Sequence, residues 1–276
     1  MINLPVIREI ECKSVLVKSR ISNYAVNCYT GCLHGCVYCY ARYMKRFTGH
    51  TEPWGQFVDA KINAPYILEK ELRRAARGAV FMSSVCDGWQ PLEQKYELSR
   101  RCLDMLLHNS FHVSILTKSS LIRDDLDLLE GTDTELGATL TVMDDALCRK
   151  IEPRASLTRD RIDMLREAAD RGIRTWAFLG PFMPFLSDTP ENIDALIKSL
   201  SEIKLEHIYA DQLNPRPGVW ASIKSFLGEN YPYLIRSYGR IMYDEPERKA
   251  YWQGLRRLIM SSAEKYGLTS RTEIMI

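Results

Sequence analysis

Three cysteines inside eight residues constrain this chain more than any other feature. The segment Asn27-Cys28-Tyr29-Thr30-Gly31-Cys32-Leu33-His34-Gly35-Cys36-Val37-Tyr38-Cys39-Tyr40-Ala41-Arg42 sets Cys32, Cys36 and Cys39 in a C-x3-C-x2-C array. Thiolates this close in sequence can converge on one metal centre. A structural zinc site wants a fourth protein ligand, and a closed ferredoxin-type cluster wants four cysteines. Three thiolates can instead hold three irons of a cubane and leave the last iron open to a substrate or cofactor. Cys28 makes a further C-x3-C with Cys32, so it is a candidate fourth ligand that would close the cluster. His34, inside the loop, reads as a loop group rather than a ligand.

The other cysteines do not suggest disulfides. Of eight in total, Cys12, Cys86, Cys102 and Cys148 are scattered singly. The start, Met1-Ile2-Asn3-Leu4-Pro5, lacks a basic-then-apolar secretory pattern. Clustered cysteine without such a signal points to metal and to a cytoplasmic setting. No apolar run approaches a membrane-spanning length. The 276 residues carry a net charge of +2, short of the strong basic bias of a dedicated DNA binder. Local basic clusters, such as Arg149-Lys150 with Arg154, Arg159 and Arg161, read first as solvated helix faces.

Apolar runs alternate with amphipathic stretches, which predicts an α/β fold with parallel strands. Strands are expected at 24–26, 79–82, 113–116, 136–142, 173–179 and 207–210. Helices are expected at 66–77, 98–108, 121–129, 158–171 and 191–203, with Thr158 as an N-cap and Gly172 as a stop. Six such units predict a partial (β/α)6 TIM-type barrel rather than a closed eight-fold one. Active-site groups then belong at the carboxyl ends of the strands. The cysteine loop (28–42), Val85-Cys86-Asp87-Gly88, Thr117-Lys118-Ser119 and Gly180-Pro181-Phe182 all fall there. From the turn-rich Asn214-Pro215-Arg216-Pro217-Gly218 onward the pattern changes. Residues 1–213 are read as the barrel, and 214–276 as a C-terminal helical cap with helices at 220–227 and 247–266.

The segments Tyr29-Thr30-Gly31-Cys32 through Cys39-Tyr40-Ala41-Arg42, Asp87 with Gln90-Pro91-Leu92-Glu93, Thr117-Lys118-Ser119, Glu152-Pro153-Arg154-Ala155 and Gly180-Pro181-Phe182-Met183-Pro184 together resemble one branch of the radical S-adenosylmethionine (SAM) superfamily. It is the spore photoproduct lyase-like branch, often labelled DNA repair photolyases. Two departures stand out. This chain has Cys86-Asp87-Gly88-Trp89 where the branch tends to have Thr-Asp-Pro-Tyr, and Cys28 where it tends to have proline. The resemblance implies a 4Fe-4S cluster on Cys32, Cys36 and Cys39, with SAM on the open iron. It maps Lys118 and Thr139 onto polar SAM-contacting strand ends. Arg154 is a candidate for the SAM carboxylate and Ser84 for its ammonium region; Asp87 and Tyr38 complete the cofactor candidates. Reductive cleavage of SAM would give a 5'-deoxyadenosyl radical that abstracts hydrogen from substrate. Cys86 is a candidate thiol hydrogen donor to a substrate radical. Its plain alternative is a buried small apolar residue.

Three functions compete on this reading. One is a radical SAM enzyme acting on a DNA or RNA base, in lesion repair or base modification, with Trp89, Tyr29 and Tyr43 as stacking candidates. The second acts on a small molecule or peptide. The third is a non-catalytic iron–sulfur or zinc protein. The enzyme readings imply a reductant such as flavodoxin or ferredoxin, and no membrane. No glycine-rich phosphate loop or hydrolase triad is present.

Overall fold

The computed structural model describes residues 4–214, 216 and 218–275. Pro215 and Pro217 of the turn-rich stretch, and residues 1–3 at the start of the chain, lie outside the described residues. In chain order the strands are β1 (Val6–Ile10), β2 (Leu16–Lys18), β3 (Tyr24–Val26), β4 (Tyr29–Thr30), β5 (Phe57–Lys61), β6 (Ala79–Met82), β7 (His112–Thr117), β8 (Thr134–Leu140), β9 (Arg174–Leu179), β10 (His207–Asp211) and β11 (Thr272–Met275). The main sheet has the order β11-β10-β9-β8-β7-β6-β3-β2. From β3 to β11 every neighbouring pair is parallel, and β2 adds antiparallel to β3. Among the described residues β2 and β11 do not pair, so the barrel is open.

The sequence explains why this sheet is parallel and covered. Strands such as β8, Thr-Glu-Leu-Gly-Ala-Thr-Leu, are buried on both faces, as parallel strands between helices must be. The helix Leu98–His108 buries Leu98, Cys102, Leu103 and Leu106, one stripe of a 3.6-residue period. The helix Thr158–Asp170 buries Ile162, Met164, Leu165 and Ala168 and stops at Gly172, which takes a positive φ. Thr158 does not cap it. The cap position is Leu157, and the Thr158 hydroxyl donates instead to the Val142 carbonyl at 2.5 Å, which ties the helix to the end of β8.

Other boundaries moved for local reasons. The helix expected at 66–77 spans Ala64–Leu72. Pro65 fits its first turn, and beyond Leu72 the exposed Arg73, Arg74 and Arg77 leave little apolar face to bury. The helix expected at 121–129 is a 3-10 turn, Ser120–Asp125, followed by one α-turn, Leu126–Leu129. Asp125 is drawn aside there, accepting from Trp89 Nε1 at 2.7 Å and pairing with Arg100 at 2.6 Å. The C-terminal segment carries three helices, Val219–Asn230, Ile235–Tyr243 and Glu245–Lys265. It then returns as β11 beside β10, so it supplies the outer strand of the sheet as well as a helical cover. A second small sheet, β1-β5-β4, lies next to the cysteine loop. No helix among the described residues is long and apolar enough to cross a membrane.

A buried acid fastens β4 to this frame. Glu93, 4% exposed, accepts from the Tyr29 hydroxyl and from the Arg100 backbone N–H at 2.9 Å. Burial outweighs these donors and raises its pKa to about 7. Unfolded glutamate titrates near pH 4.3, so between there and about pH 7 the folded chain holds an extra proton. Stability from this group is therefore lost as pH rises through about 7, on the order of 3 kcal/mol. Urea unfolding at the two ends of that window should show the loss, and Glu93→Gln should shrink it. An unchanged pH slope in the variant would contradict this.

Candidate active site

The cysteine loop leaves β4 through Gly31, whose φ is +91° and where an added Cβ would sit 2.5 Å from the Phe57 carbonyl oxygen. Only glycine fits that approach. Gly55, at φ +92°, would bring a Cβ within 2.7 Å of Gly35 Cα, so the loop and the 53–56 turn touch backbone to backbone. Two guanidiniums then take up the loop's carbonyls. Arg42 donates to Cys36 O (3.1 Å), Val37 O (2.9 Å) and Cys39 O (3.0 Å). Arg154 donates to Gly55 O (2.5 Å) and Leu33 O (3.3 Å). With its main chain held this way, the loop keeps its thiols inside.

Cys32 and Cys36 are buried and Cys39 is half-buried. Burial pushes all three thiols up; Cys36 and Cys39 add to the rise at Cys32, and Cys39 adds to the rise at Cys36. Lys118 opposes the rise at Cys36 and Cys39. The candidate fourth ligands are engaged elsewhere. Cys28 Sγ donates to the Leu98 carbonyl at 3.6 Å and lies beside the Cys102 thiol. His34 Nδ1 lies 3.4 Å from an Asp87 carboxylate oxygen. Among the described residues no three His, Cys, Asp or Glu side chains close in on a single ion; cluster thiolates each bind their own iron and need not meet at a point. One orphan donor faces the loop. Trp54 Nε1 is buried without a hydrogen-bond partner and lies near Cys39. A ligand thiolate would give that N–H an acceptor. The donor set therefore fits a three-cysteine cluster.

Lys118 ends β7 with its ammonium near Cys36, Cys39 and Glu152, 5.8 Å from the Tyr38 ring centre. Burial disfavours its charge, yet the thiols and Glu152 leave its pKa raised. Tyr38 donates its hydroxyl to Glu152, which also pairs with Arg161; Arg161 and Glu152 are 0% and 1% exposed. Arg161 further donates to the Thr139 carbonyl at 2.8 Å. Cys36, Cys39, Tyr38, Lys118 and Thr139 are thus gathered around one polar network, and Cys32 lies beside it near Asp87.

The remaining candidates lie around its rim. Asp87 accepts from Thr117 Oγ1 (2.7 Å), Lys118 N (2.7 Å) and Trp89 N (3.0 Å). Burial pushes its carboxyl up, but His34 and these donors win and hold it at about 2. Ser84 and Cys86 meet at Asn27, whose Nδ2 donates to Ser84 Oγ (2.9 Å) and whose Oδ1 accepts from Cys86 Sγ (3.6 Å). Arg154 stands apart on the Gly55 side, its guanidinium committed to the loop. Of the stacking candidates, Trp89 and Tyr29 are fully buried; Tyr43 lines an open groove. Asn27, Trp54, Glu152 and Arg161 were not picked out as site residues from sequence. Glu152 lies in a segment that carries the family resemblance; the signal of the others is contact across the fold, which spacing does not carry.

A family model described as the radical SAM superfamily matches residues 26–208. The chain is 32% identical over 212 residues to an uncharacterized protein of Methanocaldococcus jannaschii, covering 76% of this chain and 77% of that one. It is 27% identical over 277 residues to an uncharacterized protein of Mycobacterium tuberculosis, covering 94% and 81%. Among solved structures it superposes on spore photoproduct lyase complexed with dinucleoside spore photoproduct, with a TM-score of 0.71 and 14% identity over 97% of this chain and 81% of that one. A mutant of that lyase with bound AdoMet and the same dinucleoside also gives 0.71 at 14% identity, covering 98% and 81%.

Proposed function

We propose that this chain, which belongs to the radical SAM superfamily and is a radical SAM enzyme, acts on a nucleic-acid base from a cluster held by Cys32, Cys36 and Cys39. The observation that carries the cluster assignment is the loop itself. It offers two buried thiols and one half-buried, while Cys28 lies toward Cys102 and His34 toward Asp87. When bound, a 4Fe-4S cluster and SAM supply one-electron cleavage of the sulfonium and a 5'-deoxyadenosyl radical.

The protein's part is to bind, orient and shield. Lys118 places a cation beside the thiols for the SAM carboxylate. Thr139, Ser84 and Asp87 are the neighbouring polar strand ends. Tyr38, locked by Glu152, fixes the loop between Cys36 and Cys39. Cys86, 7% exposed and sharing Asn27 with Ser84, would hand a thiol hydrogen to a substrate radical. A flavodoxin or ferredoxin would supply the electron. The nucleic-acid reading draws support from the shared fold with a lyase solved in complex with a dinucleoside. A small-molecule or peptide substrate is the competing reading.

The test is 5'-deoxyadenosine formation from SAM by anaerobically reconstituted, dithionite-reduced protein with single-stranded DNA and RNA present. Formation is expected, and Cys36→Ala should abolish it. With a turned-over substrate, Cys86→Ala should change the product distribution more than the yield of 5'-deoxyadenosine. Equal loss of both would remove the hydrogen-donor role.

A further inference from the structure

Directly after the last ligand cysteine the chain forms a 3-10 helix, Tyr40–Phe47. It walls a groove of about 870 Å³ lined by Arg42, Tyr43, Lys45, Arg46, His50 and Arg216. Aromatic rings and guanidiniums alternate in and beside it, with Tyr43, Arg46 and Arg216 in its wall. Arg46 lies 4.5 Å from the Phe47 ring centre and 5.5 Å from that of Tyr43; Arg216 lies 5.6 Å from Tyr43 and 5.9 Å from Tyr40. The result is a ladder, Phe47–Arg46–Tyr43–Arg216–Tyr40. Its outer rung, Phe47, is 65% exposed. Its inner rung, Tyr40, adjoins Cys39 and donates its hydroxyl to the Ser84 carbonyl, beside Cys86.

The charges on this ladder are unspent. Among the described residues no carboxylate lies within ion-pair distance of Lys45, Arg46 or Arg216. The acids nearest the groove, Glu52 and Asp59, are taken by the two nitrogens of His50 at 2.9 Å each. Exposed guanidiniums without carboxylates attract anions, and the half-buried Tyr43 ring between them offers a flat apolar face. A polyanion with planar groups at regular spacing satisfies both. Single-stranded nucleic acid has that chemistry, whereas a duplex hides its base faces.

We infer that this ladder is the binding track for a single strand, with phosphates on Arg46 and Arg216, a base stacked against Tyr43, and the strand directed past Tyr40 into the site. The inference rests on the nucleic-acid reading above and adds the surface that would carry it. Phosphate contacts supply affinity and salt dependence, and stacking on aromatic rings is tolerant of sequence.

Fluorescence anisotropy with labelled DNA and RNA strands of about 12 nucleotides, between about 50 and 200 mM salt, tests it. The wild-type chain should bind at least one strand with steep salt dependence. The double variant Arg46→Glu, Arg216→Glu should bind about 10-fold or more weakly, with a log–log salt slope shallower by about 1.4. Tyr43→Ala should weaken binding on the order of 10-fold with the slope unchanged. Lys70→Glu with Arg74→Glu makes the same change of net charge in a separate basic groove and should stay within about threefold of wild type. Thermal unfolding confirms that each variant is folded. Ladder variants that bind like wild type, or no worse than the control pair, would overturn the track and leave the nucleic-acid reading standing. Charge variants that weaken binding while Tyr43→Ala does not would overturn the stacking half. A wild-type chain that binds neither strand at low salt would overturn the nucleic-acid reading and the track together.

Discussion

Arg161→Ala should destabilise the protein by about 3–5 kcal/mol, among the largest effects of any single change. Burial opposes the charge on both Arg161 and Glu152, yet their mutual attraction holds the carboxyl below its usual range and the guanidinium above it. Removing the cation leaves a buried carboxylate with hydrogen bonds from Tyr38, Thr141 and Cys148 and the more distant charge of Lys118 in place of its direct ion pair. It also orphans the Ser156 and Thr139 carbonyls that Arg161 satisfies. A paired replacement, Arg161→Met with Glu152→Gln, removes both charges and should cost clearly less. Denaturant unfolding measures both. Equal losses in the single and paired variants would mean that packing, rather than the uncompensated charge, sets the cost. Because Glu152 anchors Tyr38 between Cys36 and Cys39, the proposed cluster loop makes lower iron incorporation in Arg161→Ala a further expected result.

Cys36→Ala should lose nearly all of the cluster, whereas Cys28→Ala should keep it, at about four irons per chain after reconstitution. The two residues lie eight positions apart in one segment but face different surroundings. Cys36 sits near Lys118 and Cys39 in the site. Cys28 packs against the helix Leu98–His108 through Leu98 and Cys102. Loss of Cys28 removes a small buried thiol from a core position, so its cost should appear in stability rather than in iron content. Iron and sulfide analysis with the visible absorption of each reconstituted variant decides the matter. Matching loss in both variants would make Cys28 a ligand and close the cluster.

What was legible in the sequence was what is local. The C-x3-C-x2-C spacing, the apolar runs of β3 and β6 to β10, and the Gly172 stop are all written within a few residues, and the structure places them at the expected strand ends. Pairings across long separations were not legible. Thr272–Met275 is four residues long and becomes β11 only because the β10 edge is free to receive it. The sheet β1-β5-β4 joins segments about fifty residues apart, which no short window contains. Arg161 reads as part of a solvated helix face, and Glu152 only as part of the segment Glu152-Pro153-Arg154-Ala155 that carries the resemblance; nothing in their spacing says that the helix Thr158–Asp170 turns Arg161 inward to meet it. Asp87 and Arg154 stood out as charged residues near a site, but only the fold shows how fully their side chains are engaged by His34, Thr117 and the loop carbonyls.

The central claim is a cluster with three protein ligands and one iron open to SAM. The most direct measurement is the electron paramagnetic resonance spectrum of the dithionite-reduced, reconstituted protein before and after adding SAM, for wild type and Cys28→Ala. The account predicts a clear change in the cluster signal on adding SAM in both proteins. A signal that SAM leaves unaltered in wild type, but alters once Cys28 is removed, would show a cluster closed by a fourth cysteine and would contradict it.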